Sequence, residues 1–139
     1  MSWFWWALLS ALFAGITAIL AKMGVTGVDS NLATAVRTTV ILFFAWSVFF
    51  ATAPARNLLQ LTGRNWVFLV LSGFATGLSW LCYFRALQLG EASRVAPVDK
   101  LSVVFAILFA VLILKEHVGW HQCVGGLLIV IGAVVLAFK

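Results

Sequence analysis

Apolar residues run along this chain in five blocks, each about the length of a bilayer crossing, separated by short polar connections. The blocks read Ser2 to Ala21, Leu32 to Ala53, Trp66 to Leu87, Val95 to Leu114 and Val118 to Phe138. About 30 Å of hydrocarbon requires roughly 20 residues of helix, and every block meets that length. None alternates apolar with polar at a two-residue period, so helices are expected and a membrane barrel is not. The predicted fold is an all-α membrane protein with five transmembrane helices in one domain over residues 1–139.

The connections carry the chemistry that starts and stops helices. Asp29, Ser30 and Asn31 can cap the second helix and Pro54 ends it; Gly63 and Asn65 precede the third. Ser93 can cap the fourth, with Pro97 in its first turn, and residues 117–119 break before the fifth. An odd number of crossings puts the two ends of the chain on opposite sides of the membrane. It also gives the chain the look of one half of a larger unit.

Composition narrows the solvent to a bilayer: 64% of residues are apolar, 9% are charged and mean hydropathy is +1.13. The first block follows Met1-Ser2-Trp3-Phe4-Trp5-Trp6, which has no basic segment, and no small-residue cleavage site leads into a soluble domain, so it reads as a span and not a secretory signal. Cys82 and Cys123 fall within or beside helices, where free thiols act as small hydrophobes, so neither a disulfide nor a metal site is expected.

Charge is spread evenly over the two membrane faces. Arg56, Arg64 and Lys115 share one side with the 54–65 loop; Lys22, Arg94 and Lys139 lie on the other. Three against three gives no orientation by the positive-inside rule; adding Arg37, Arg85 and Lys100, just inside the helices, makes it six to three. Trp3, Trp5, Trp6, Trp66 and Trp120 collect at the first side as an interfacial belt. Trp46 and Trp80 lie deep within their spans, where packing or lipid contact is the plainer role.

Charges inside spans are costly unless paired, snorkelled or hydrated, which makes Arg37, Arg85, Asp99 and Lys100 the residues to watch. Arg37 lies roughly 8 Å inside its helix end, and Asp99 and Lys100 roughly 6–8 Å inside theirs, so three spans place charge at one depth. Snorkelling to the headgroups is an alternative for Arg85 and Lys100, and Asp99 would complement the positive start of its helix. Arg37 shares a face with Thr34, Thr38 and Ile41; Asp99 shares one with Ser102, Val103 and Ala106. The set sums to a net charge of +2.

Ser72, Thr76, Ser79 and Tyr83 form a polar line on the third helix, beside Gly73 and Gly77. Close helix packing and a pore-lining stripe are both open readings of it. On the fifth helix Gly125, Gly126, Ile129 and Gly132 make a smooth strip suited to another helix, from this chain or from a second copy. His117 and His121 lack the glutamate of a zinc-protease helix, and no phosphate loop is present, so the chain does not read as an enzyme. The +5 net charge has no cluster dense enough for nucleic acid, and no cofactor is implied.

The run from Tyr83 to Lys100, YFRALQLGEASRVAPVDK, followed by an apolar span closing in Lys115-Glu116, resembles the EamA-type repeat of the drug/metabolite transporter superfamily, in its short five-span bacterial and archaeal branch. The glycine strip resembles the dimerising last helix of the small multidrug resistance transporters. The resemblance implies a secondary transporter of the inner membrane, an exporter of amino acids, other small metabolites or drugs, often coupled to protons. It also implies an antiparallel dimer through the fifth helix, since longer relatives contain two inverted five-span repeats.

The first helix has no acid, whereas the small multidrug resistance proteins use a glutamate there. Asp99 is the remaining candidate for proton coupling, and Arg37, Trp80, Tyr83, Arg85, Asp99 and Lys100 are the expected substrate site. Two other readings stay open: a flippase for polyprenyl-phosphate-linked sugars, and a non-transporting partner subunit.

Overall fold

The computed structural model describes residues 2–138; Lys139 lies outside them. Its helices are α1 (Trp3–Val25), α2 (Ser30–Thr52), α3 (Gly63–Leu89), α4 (Ala92–Asp99), α5 (Ser102–Leu114) and α6 (Trp120–Ala137), with a 3-10 helix at Ala55–Gln60. Taken together, α4 and α5 form one apolar stretch, Ala92–Leu114, so the described residues hold five helical segments long and apolar enough to cross a membrane. That matches the five blocks of the sequence. At 1.5 Å per residue they measure about 27 to 40 Å, enough for the hydrocarbon with some tilt.

Helix starts follow local chemistry in part as expected. Asp29 is the N-cap of α2, and its carboxylate accepts from the backbone N–H of Asn31 at 2.9 Å and of Leu32 at 3.0 Å. Ahead of α3 the capping oxygen is Thr62 Oγ1, which accepts from Asn65 N–H at 3.3 Å. Gly27, at φ 76°, makes the left-handed turn that ends α1.

The fourth span departs from the sequence reading. Its N-cap is Glu91, not Ser93, and Glu91 turns its carboxylate to Arg94 at 3.2 Å without capping the helix. Starting at Ala92 puts Pro97 inside α4, beyond the first turn. Proline there removes a donor and crowds the carbonyl four residues back. The helix answers by tightening: Lys100 N–H bonds Pro97 O at 3.1 Å and Leu101 N–H bonds Val98 O at 3.0 Å, both three-residue steps, before α5 resumes. Asp99 consequently sits at the end of α4, on the tightened turn before α5, and not at the start of the span.

The described residues divide into two compact units, Gly24–Gln88 and residues 2–23 with 89–138. In the second, α6 packs on α4 and α5, and the buried residues are small: Ala18, Ala21, Gly126 and Ala133. Small side chains let helix backbones approach closely, which is how helices associate where burial of apolar surface from water gives no drive. Lys22 Nζ also donates to Gly90 O at 2.7 Å in this unit.

In Gly24–Gln88 the buried residues are Val25, Ser30, Thr34, Phe84 and Leu87. All come from the end of α1, the start of α2 and the last turns of α3. Beyond Thr34 on α2, and before Phe84 on α3, no described residue is buried. At most 11% of the residues in the most apolar stretch of any crossing are buried, which leaves much apolar surface to lipid or to another chain.

Candidate functional site

The charged residue best defined by its surroundings is Arg37. From the second turn of α2 its guanidinium lies over the Trp80 ring of α3, 4.5 Å from the centroid, and 5.4 Å from that of Phe84. A cation set against ring faces gains from their negative quadrupole, most where water is scarce. Arg37 is half-buried and Phe84 is 3% exposed. Between residues 24 and 88 the sequence holds one carboxylate, Asp29, and it is spent capping α2. Arg37 is therefore neutralised by no acid of its own unit and keeps planar N–H edges for an anion.

The polar line on α2 next to Arg37 turns inward on its own backbone. Thr34 Oγ1 donates to Ser30 O and Thr38 Oγ1 to Thr34 O, both at 2.8 Å, and Thr39 Oγ1 donates to Ala35 O at 3.0 Å. Each hydroxyl proton is thus used, leaving oxygen lone pairs and methyl groups outward. Asn31, Thr34, Thr38 and Leu42 of α2, with Gly77 and Leu81 of α3, line an open groove of about 320 Å³.

Arg85 does not join Arg37. It is exposed, and its Nη1 donates to Gln88 Oε1 at 2.9 Å. Tyr83 is half-buried on the same helix. Asp99 and Lys100 form a neighbouring ion pair at 3.4 Å, with side chains 36% and 56% exposed. On α3, Thr76 Oγ1 donates to Ser72 O at 2.9 Å, and both residues are exposed.

A model of the EamA-like transporter family matches residues 1–138. The chain belongs to that family. Secondary transport is the family's general function, and the protein is a multi-pass membrane protein of the drug/metabolite transporter superfamily. A curated relative from Sinorhizobium sp, described as "Uncharacterized transporter in cobO 3'region", is 50% identical over 136 residues, 98% of this chain and 96% of the relative. No solved structure matches the chain.

For an EamA-like transporter, sequence reasoning missed one residue of this site, Phe84, and a neighbour outside it, Gln88. Phe84 and Gln88 lie inside the run that carries the family resemblance, yet neither is charged and neither was singled out. The available signal was spacing, since Trp80, Phe84 and Leu87 fall on one face at steps of four and three. Trp46 instead stacks on Phe50 of its own helix, 5.6 Å between centroids, and stays exposed on an apolar face, in keeping with lipid contact.

The glycine strip of α6 divides into two faces. Gly126 is buried, and a Cβ there would lie 3.8 Å from Ile107 Cδ1, so it faces α5 of its own chain. Gly125 and Gly132 have nothing within 4 Å of such a Cβ, and Ile129 between them is exposed. Among the described residues no group of three or more His, Cys, Asp or Glu is placed to hold a metal ion.

Proposed function

We propose that the protein is a secondary transporter of the inner membrane that exports a small metabolite bearing an anionic group, with amino acids first. Arg37 holds the anionic group, Trp80 and Tyr83 shape the pocket, and Asp99 takes up and releases the coupling proton beside Lys100. The observation that carries this reading is Arg37 itself, fixed over two aromatic rings with no carboxylate of its own unit except a capping one. An arginine with no carboxylate partner within a span is expensive unless something else supplies the anion. Arg85 contributes less, because one of its nitrogens is already committed to Gln88.

The transporting unit in this proposal is a homodimer of two oppositely inserted copies, meeting through Gly125, Ile129 and Gly132. The even distribution of loop charge suits insertion in both orientations. Counterflow of labelled amino acids in reconstituted vesicles is the test: Arg37→Gln should abolish uptake while leaving the protein folded. Uptake at the parent rate in that variant would remove Arg37 from the site.

The open groove between α2 and α3 favours a second reading. Leu42, Gly77 and Leu81 give it an apolar wall that would take a lipid tail, with Arg37 nearby on α2 to meet a phosphate. Mass spectrometry of lipid retained by the purified protein separates a flippase of polyprenyl-phosphate-linked sugars from the amino-acid exporter.

A further inference from the structure

The last turn of α3 holds a relay of polar contacts that the transport site does not use. Arg85 Nη1 donates to Gln88 Oε1, and Gln88 Nε2 donates to the carbonyl of Val28 in the connection between α1 and α2. A carboxamide has one accepting end and one donating end, whereas a guanidinium only donates. With Oε1 turned to Arg85, the amide can present only its N–H group to Val28. Arg85, which donates, and the Val28 carbonyl, which accepts, together fix the direction in which Gln88 points.

Beside this contact lie the two largest fully buried side chains among the described residues. Leu87, next to Gln88, is 0% exposed, and Val25, three residues before Val28, is 1% exposed. The Gln88–Val28 bond itself lies at an exposed edge. Beyond Thr34 on α2 and before Phe84 on α3 no described residue is buried, so the seal of the Gly24–Gln88 unit rests on this end alone.

We propose that Gln88 is a latch: its bond to Val28 holds the end of α3 against the α1–α2 connection and keeps water from Val25 and Leu87, with Arg85 as the positioning residue. Release of the latch opens this end of the unit. Phe84, one turn before Gln88, is also the ring against Arg37, so an anion that draws Arg37 off that ring loosens the turn that carries the latch. By linkage, opening changes anion affinity by the same factor. That coupling rests on the transport reading; the latch does not.

An exposed hydrogen bond of this kind shifts an open–closed equilibrium by roughly two- to tenfold. The test places a single cysteine at Val25, after Cys82 and Cys123 are replaced by alanine, and measures labelling by a water-soluble maleimide in lipid nanodiscs, where both faces are accessible. Labelling of a closed site follows the population of its open form. Gln88→Ala, Gln88→Glu and Arg85→Ala should each raise the rate at Val25→Cys by about two- to tenfold, with Arg85→Lys near the parent. Gln88→Glu is near-isosteric and keeps a partner for Arg85 while losing the donor to Val28, so it serves where the alanine variant fails to fold.

Asn57→Cys, exposed in the 3-10 helix, should label at one rate throughout. Parent-rate labelling of Val25→Cys in Gln88→Glu overturns the latch, as does an equal rise at Asn57→Cys. A parent rate in Arg85→Ala overturns the positioning role. No substrate is needed, so loss of uptake in Arg37→Gln together with parent-rate labelling of Val25→Cys in Gln88→Glu leaves the transporter reading standing and the latch refuted.

Discussion

Arg37 of α2 and Trp80 of α3 meet with the guanidinium carbon 4.5 Å from the indole centroid, which joins two crossings through a cation and a ring without any acid. Such a pair contributes about 0.5–2 kcal/mol, rising as water is excluded. Trp80→Ala should therefore weaken binding of an anionic amino acid by about three- to thirtyfold, and Trp80→Phe by less. Arg37→Lys keeps the charge but loses the planar fork, so it should raise KM with smaller effect on kcat. Equilibrium binding by scintillation proximity, alongside vesicle uptake, checks both; equal affinity in Trp80→Ala would show that the ring only packs.

Asp99→Asn should abolish proton-linked exchange in reconstituted vesicles while leaving dimer mass unchanged. Lys100→Gln removes the partner at 3.4 Å and should slow uptake while keeping it linked to protons. Intravesicular pH recorded with a dye during uptake distinguishes the two, and unchanged coupling in Asp99→Asn would retire the assignment.

Substitutions on α6 should separate packing from association. At Gly132 an added Cβ meets nothing within 4 Å, so Gly132→Leu should leave the chain folded and reduce the dimer fraction. Gly126→Ala adds a Cβ at ordinary contact distance from Ile107 and should be tolerated, whereas Gly126→Leu overfills the buried face and should cost about 1–3 kcal/mol of stability. Detergent-solution mass and thermal melting read the two effects. A parent that is already monomeric would favour a partner subunit over a homodimer.

Two left-handed backbone positions invite opposite changes. Lys115, at φ 55°, ends α5, with Glu116 N–H closing on Ala110 O at 3.1 Å. Glycine is the residue that this conformation favours, so Lys115→Gly should stabilise the protein by about 0.5–1 kcal/mol. Gly27→Val, at φ 76°, should destabilise it by about 1–2 kcal/mol. Thermal melts of the two variants should move in opposite directions.

Hydropathy alone determined the number, order and helical nature of the crossings, because each must be apolar over its length and satisfy its own backbone bonds wherever it sits. Asp29 as a cap was equally legible, since capping acts over three residues. The start of the fourth span at Glu91 was not: Ser93 and Pro97 looked like a start signal, and only the folded backbone placed them inside a helix that tightens at Lys100 and Leu101.

Sequence also named Arg37 as a charge in need of a partner, but an aromatic face has no signature at a distance. That Trp80 and Phe84 supply it was decided by how α2 meets α3, and that Gln88 turns to Val28 by a contact sixty residues away along the chain. The same holds for α6, where Gly125 and Gly126 are adjacent in sequence yet point about 100° apart on the helix. One packs against Ile107 and the other is left open, a difference that arises only when neighbouring helices close on one side.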